Sequence, residues 1–325
     1  MRLQAALAGL AVAAFAAGAA RAQEEGFSDF TLDPARLPAY VKSHARPFEW
    51  SEVFRGPERV IYLGDSHDVA ACSVELADRL GLAKAAGITH LAVEGLTDDT
   101  QDLLDRFRRD GSRAEEVKSA YADGIEAGFH PEAHFSVLEA ARVQGLALLA
   151  VELPDAELET AALRCYREAG LPPSLLGPDA RDLTLDELER LDAVAAKLCR
   201  LKDGRCHGRD CRMAANIASL LGRDPGARVL VWTGTRHAYH EHQPRHLQRQ
   251  FGIASRSYAF WTKGLASAFD VMGEALRAQG KGDEATAIAM PKELGGYDAL
   301  LWVPRAAKES LGEAGAPAKA PLPAR

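Results

Sequence analysis

Four apolar runs in this chain each end in residues that can do chemistry. Val60-Ile61-Tyr62-Leu63-Gly64 leads into Asp65-Ser66-His67, Ile88 to Val93 ends at Glu94, and Leu146 to Val151 ends at Glu152. Val229 to Gly234 leads into Thr235-Arg236-His237. Continuous apolar runs of about five to seven residues, with helix-like stretches between them, read as buried parallel strands. Open α/β sheets carry their ligand crevice outside the carboxyl ends of the strands. His67, His237, Asp65, Glu94 and Glu152 are therefore expected on one rim. Imidazoles and carboxylates gathered there can share a divalent metal, place a water or hold a cofactor.

The same short pattern, Gly-x-x-His at a strand end, occurs twice, at Gly64–His67 and Gly234–His237. Glycine is read here as letting the chain turn sharply as it leaves the sheet. A histidine taken singly is as well explained as a hydrogen-bonded structural imidazole, and Glu94 or Glu152 as an acid at a helix N-terminus. Two motifs with acids on the intervening strand ends weigh toward a site. Two further histidine clusters compete for it. His130 and His134 are four apart, the spacing of one helical face, although His130 precedes Pro131 and belongs outside the helix. His240, His242 and His246 follow His237, and the first two read as a solvated loop or as metal contacts.

At 325 residues with net charge −7 and no run of Lys or Arg, the chain has ordinary soluble composition, and nucleic acid is not an expected partner. Residues 1–22 read as a signal peptide: Arg2, an uncharged stretch from Leu3 to Ala20, then Ala20-Arg21-Ala22 with cleavage before Gln23. The mature protein is expected to be exported, periplasmic or secreted, with no membrane span. Export gives the five cysteines a disulfide reading. Cys199 is expected to pair with Cys206 or Cys211; a small metal site with His207 is the rival reading, and Cys72 on an apolar helix face is read as a buried thiol.

Periodicity places helices at 37–43, 70–86, 98–109, from Ser112, 131–144, 243–250 and 264–278. Strands are expected at 60–64, 88–93, 146–151, 228–233, 253–261 and 298–303. Residues 155–222 read as a helical insertion between the third and fourth strands. The expected fold class is α/β, a mainly parallel central sheet flanked by helices. Its organisation is an N-terminal lead at 23–49, a single domain at 50–305 and a disordered tail at 306–325.

Four segments carry a resemblance to a known family. They are Ile61-Tyr62-Leu63-Gly64-Asp65-Ser66-His67-Asp68, Leu91–Gly95, Arg209-Asp210-Cys211-Arg212-Met213-Ala214-Ala215-Asn216-Ile217 and Val229–His237. In order and spacing the chain resembles the haem-binding uptake/Tiki superfamily, which includes ChaN-like, TraB/Tiki and erythromycin-esterase-like proteins. The resemblance implies a ChaN/erythromycin-esterase-like fold and a shared strand-end site. It leaves the activity open among haem binders, metal-dependent proteases and hydrolases of cyclic esters. One departure is that Asp65 stands where the family has Glu, a methylene shorter. Tyr121 is the candidate for a tyrosine haem ligand.

Two functional readings follow. In the first, the chain is an exported hydrolase of an ester or amide in a small-molecule or peptide substrate, with or without a divalent metal. His67, Glu94 and His237 then either ligate the metal or act as acid and base, and Asp65 orients His67. Arg209 clamps an anionic group or stabilises developing negative charge, or else pairs with neighbouring helices. In the second, the chain is a non-enzymatic haem or iron-compound binding protein of uptake type. A degenerate member with only a structural role is the third alternative.

Overall fold

Apolar runs that lack alternation fold here as strands covered on both faces. In the computed structural model, which describes residues 34–123, 130–152, 209–290 and 296–313, β2 (Val60–Asp65) and β5 (Val229–Gly234) are buried at every position. Ile61, Leu63, Leu230 and Trp232 enter one apolar cluster. Val60, Tyr62, Val229 and Val231 enter the cluster on the opposite side. Burial of both faces removes the polar alternation that a one-sided strand shows.

The sheet has eight strands in the order β1-β7-β8-β6-β2-β5-β3-β4. The others are β1 (Ala45–Pro47), β3 (His90–Thr97), β4 (Ala147–Glu152), β6 (Ser255–Phe260), β7 (Thr286–Ala289) and β8 (Ala299–Trp302). From β8 to β4 every pairing is parallel. β7 and β1 add an antiparallel edge. The register sets Asp65 beside Gly234 and Val93 beside Trp232, so the carboxyl ends of β2 and β5 lie level with Glu94 on β3.

Helices connect the strands. Numbered over the described residues, they are α1 (Leu37–His44), α2 (Trp50–Phe54), α3 (Ala70–Ala85), α4 (Gln101–Asp110), α5 (Ala114–Asp123) and α6 (Pro131–Val143). They continue with α7 (Arg209–Arg223), α8 (Thr235–Ala238), α9 (Gln243–Phe251), α10 (Ser267–Ala278) and α11 (Pro304–Ser310). α3 turns Cys72, Leu76, Leu80 and Ala83 into the core, and Gly87 ends the connection at a positive φ of 91°.

Three readings are corrected. Residues 45–47 and 286–289 are strands that sequence pattern did not reveal, so part of the lead belongs to the sheet. Pro47 lacks an N–H and sits where an edge strand tolerates it. The chain beyond Ala306 begins as helix: α11 buries Ala306 and Ala307, Lys308 pairs with Asp283 at 2.5 Å, and Glu309 accepts the Ala71 N–H. The signal peptide, Cys199, Cys206 and the insertion up to residue 208 lie outside the described residues, as does the tail from residue 314.

Candidate functional site at the strand ends

Both Gly-x-x-His glycines sit where a side chain would intrude. A Cβ on Gly64 would lie 2.8 Å from the Thr235 Cα, and one on Gly234 would lie 2.9 Å from His67 Nε2. Gly234 has φ −58°, which any residue adopts. Space, rather than the sharp turn expected from sequence, is what these glycines supply. Gly234 also donates its N–H to Glu94 Oε2 at 2.6 Å.

With that room, carboxylates and imidazoles alternate along one line. His67 Nδ1 lies 2.9 Å from Asp65 Oδ1, and its Nε2 is 3.8 Å from Glu94 Oε2. Glu94 Oε1 lies 3.2 Å from His237 Nε2. His237 Nδ1 meets Asp210 Oδ1 at 2.7 Å, and Asp210 Oδ2 meets His242 Nδ1 at 2.8 Å. β2 positions the first pair, β3 supplies Glu94, the first turn of α8 supplies His237 and the first turn of α7 supplies Asp210.

Arg209 fastens the line to the neighbouring strand. Its guanidinium takes Glu152 through two nitrogens, Nε to Oε1 and Nη2 to Oε2, the latter at 2.8 Å. Nη2 also donates to Glu94 Oε1 at 3.0 Å, and Nη1 lies 3.2 Å from His237 Nε2. The expected clamp for a substrate anion is thus closed on two of the protein's own carboxylates.

Glu94 collects three donors from two elements, Thr233 Oγ1 and Gly234 N of β5 and Arg209 of α7, with His237 beside them. Burial alone would raise its pKa. The charges of His237 and Arg209 outweigh that and hold the carboxyl well below the usual range. Asp210 behaves likewise, held low against burial by His237 and His242. Burial disfavours the charged form of His67, but Asp65 and Glu94 raise its pKa to about 10. His237, between Glu94 and Asp210, is also raised against burial. Both imidazoles are therefore cations at neutral pH, and Glu94 and Asp210 are anions. Of the two, His67 has more solvent access, with 15% of its side chain exposed against 7% for His237.

The structure thus brings together His67, Glu94, His237, Asp65 and Arg209. His134, fully buried on α6, joins from behind: its ring lies 5.4 Å from that of His67. His130 is exposed at the N-cap and reaches the Asp68 carbonyl, while His240 faces Asp298 at 3.7 Å. Roles for Asp210, Trp232 and Thr233 escaped the sequence reading. Asp210 adjoins Arg209 in a short motif, which was its one signal. Trp232 and Thr233 read only as parts of a buried strand.

A metal shared by His67, Glu94 and His237 would need atoms that Arg209 already contacts, Glu94 Oε1 and His237 Nε2, so a permanent cation stands in its place. The ligand atoms that do converge, within 4.8 Å of one another, belong to Asp65, His67 and His134. Tyr121 is not placed as a haem ligand. The Tyr121 hydroxyl is buried against His134 Nδ1 at 2.8 Å, and burial, with Asp65, Glu94 and Glu152, keeps it protonated. The exposed large apolar residues Leu82, Val143 and Phe251 lie at the C-terminal ends of α3, α6 and α9, away from the rim.

A mainly parallel α/β sheet with a charged strand-end site is the class that fold and site define. Residues 56–247 match the family described as haem-binding uptake, Tiki superfamily, ChaN, and the chain belongs to that family. ChaN of Campylobacter jejuni, described with cofacial haem, is similar in structure at TM-score 0.47 and 14% identity, over 77% of this chain and 89% of that one. A Bacillus cereus protein is similar at TM-score 0.48 and 13% identity, over 83% and 97%. An erythromycin esterase in its open conformation is similar at TM-score 0.46 and 13% identity, over 78% and 92%. No curated protein matches the chain.

Proposed function

We propose that this chain is an exported hydrolase of an ester or amide bond in a small-molecule or peptide substrate. The observation that carries the reading is the placing of His67. Its imidazole lies between two carboxylates, 2.9 Å from Asp65 and 3.8 Å from Glu94, and it is partly open to solvent at the strand-end rim. Asp65 holds the ring and its charge. Glu94, saturated with donors and held ionised, is an anchor for His67 and His237 more than a base.

In this reading a water oxygen bonds to the substrate carbonyl carbon. The C–O or C–N bond to the leaving group breaks as the imidazolium of His67 gives its Nε2 proton to the leaving atom, and the ring then regains a proton from the water that has added to the carbonyl. General acid–base participation of this kind contributes about 10²–10⁴ in rate. Arg209 and Glu152 keep Glu94 in place and touch no substrate.

Family membership supports a second reading, haem or iron-compound binding in uptake. The two are separated by assaying the purified mature protein on a panel of aryl esters, amides and lactones while recording its visible spectrum with added haemin. Hydrolysis lost in His67→Asn, with no Soret shift on haemin addition, supports the hydrolase. A stoichiometric Soret shift with no hydrolysis supports the binder. The signal peptide at residues 1–22 belongs to the same proposal, as does net charge −7, which argues against a nucleic-acid partner. Among the described residues no helix is long and apolar enough to cross a membrane.

A further inference from the structure

We propose that Asp65, His67 and His134 form a site for one divalent transition-metal cation of the Zn²⁺ or Co²⁺ kind, set behind the rim line. One ligand atom from each residue lies within 4.8 Å of the other two. The set combines two strand-end residues, from the β2 motif, with a helix residue that approaches from α6. Two imidazoles and one carboxylate favour Zn²⁺, Co²⁺, Ni²⁺ or Fe²⁺ over Mg²⁺ or Ca²⁺, which prefer oxygen ligands.

The second observation is Asp65 Oδ1. Asp65 is 1% exposed, and this oxygen accepts no hydrogen bond from any described residue, although His67 Nδ1 is only 2.9 Å away. The two atoms form an ion pair without the alignment of a hydrogen bond. Ligand atoms that face a common point stand in that way toward one another. A cation between the three residues would give this buried oxygen the directed contact that the ion pair lacks.

The outward atoms of the three residues are held, as those of metal ligands usually are. Trp232 Nε1 donates to Asp65 Oδ2 at 2.9 Å. The Tyr121 hydroxyl meets His134 Nδ1 at 2.8 Å, which turns Nε2 toward His67. The His134 ring also reaches the His67 backbone, a contact it exchanges for the ion on loading. His67 Nε2 faces Glu94, the arrangement of a carboxylate–histidine–metal triad. Trp232 packs on His134 at 5.1 Å and stacks on Tyr121 at 6.1 Å, so the back of the site is rigid.

Metal uptake is read without substrate, so this proposal stands or falls apart from the hydrolytic reading. The full chain, stripped with chelator, is titrated with Co²⁺ alone by visible absorbance and calorimetry. One equivalent is expected, with ligand-field bands. Asp65→Asn and His134→Ala should each weaken uptake by about tenfold or more, as loss of ligands and their supports does. His237→Ala should weaken it less than His134→Ala does, since it reaches the site only through Glu94, which it shares with His67. In the unsubstituted protein the indole N–H resonance of Trp232 should broaden on loading, while that of Trp302, bonded to the Gly282 carbonyl, stays sharp. The proposal is overturned by no saturable uptake. It is equally overturned by uptake that depends on His237 instead of His134, or by uptake that leaves the Trp232 resonance unchanged.

Discussion

His237 Nδ1 and Asp210 Oδ1 meet at 2.7 Å across 27 residues of sequence, joining the first turn of α8 to the first turn of α7. The contact ties the end of β5 to the helix that delivers Arg209. Through it, the strand-end site and the α7 helix form one charged unit. Most of what can be tested follows from how that unit is balanced.

Arg209→Ala leaves Glu94 and Glu152 buried without their shared cation. Breaking a buried pair by removing one partner costs about 3–5 kcal/mol. Urea unfolding should show a loss of that size. Arg209→Lys should recover only part of it, because one ammonium cannot span Glu152 through two nitrogens and Glu94 as well. A neutral outcome for Arg209→Ala would mean that the clamp is not formed.

Stability should fall at both ends of the pH scale. Glu94 and Asp210 have folded pKa values depressed below their unfolded ones. Their contribution is present above about pH 4 and is lost as pH falls toward the folded values. His67 is raised to about 10 and His237 is raised as well. Their contribution is complete below about pH 6.5 and is lost as pH rises through the folded values. Melting temperature against pH should therefore be a dome, and His67→Asn should flatten its alkaline side. An alkaline side equally steep in that variant contradicts the charge assignment.

The two motif glycines should respond differently to alanine. At Gly64 the new Cβ meets backbone, the Thr235 Cα at 2.8 Å, and overpacking of this kind costs about 1–3 kcal/mol. At Gly234 it meets the imidazole of His67 at 2.9 Å. Gly64→Ala should lower thermal stability. Gly234→Ala should lower activity per folded molecule more than it lowers stability. Equal effects on both readouts in both variants would remove the steric account.

The parallel core was legible because β2 and β5 are covered on both faces, which leaves unbroken apolar runs. The rim followed from strand ends, and Asp65, His67, Glu94 and His237 do meet there. The edge strands were hidden for physical reasons. Thr286–Ala289 is four residues, half of them alanine, and Ala45–Pro47 carries a proline. The role of Arg209 could not be read either. A guanidinium that clasps internal acids and one that waits for a substrate anion have the same sequence. His134 was visible only as a spacing; its approach to His67 depends on how α6 packs against α3.

The proposed export makes a chemical prediction about the cysteines. The mature chain should begin at Gln23, and Cys199 should pair with Cys206 or with Cys211, which is buried in the first turn of α7. Cys72, fully buried, should stay reduced. Mass spectrometry of non-reduced peptides from exported protein checks all three. Free thiols at Cys199, Cys206 and Cys211 together would remove the pairing.

The most direct test is the rate of ester or amide hydrolysis by His67→Asn, expressed per folded molecule at a temperature where both proteins are fully folded. If His67 moves the proton, the rate falls by about 10²–10⁴. A His67→Asn rate within about tenfold of the unsubstituted protein, on a substrate that the latter hydrolyses, would contradict the assignment.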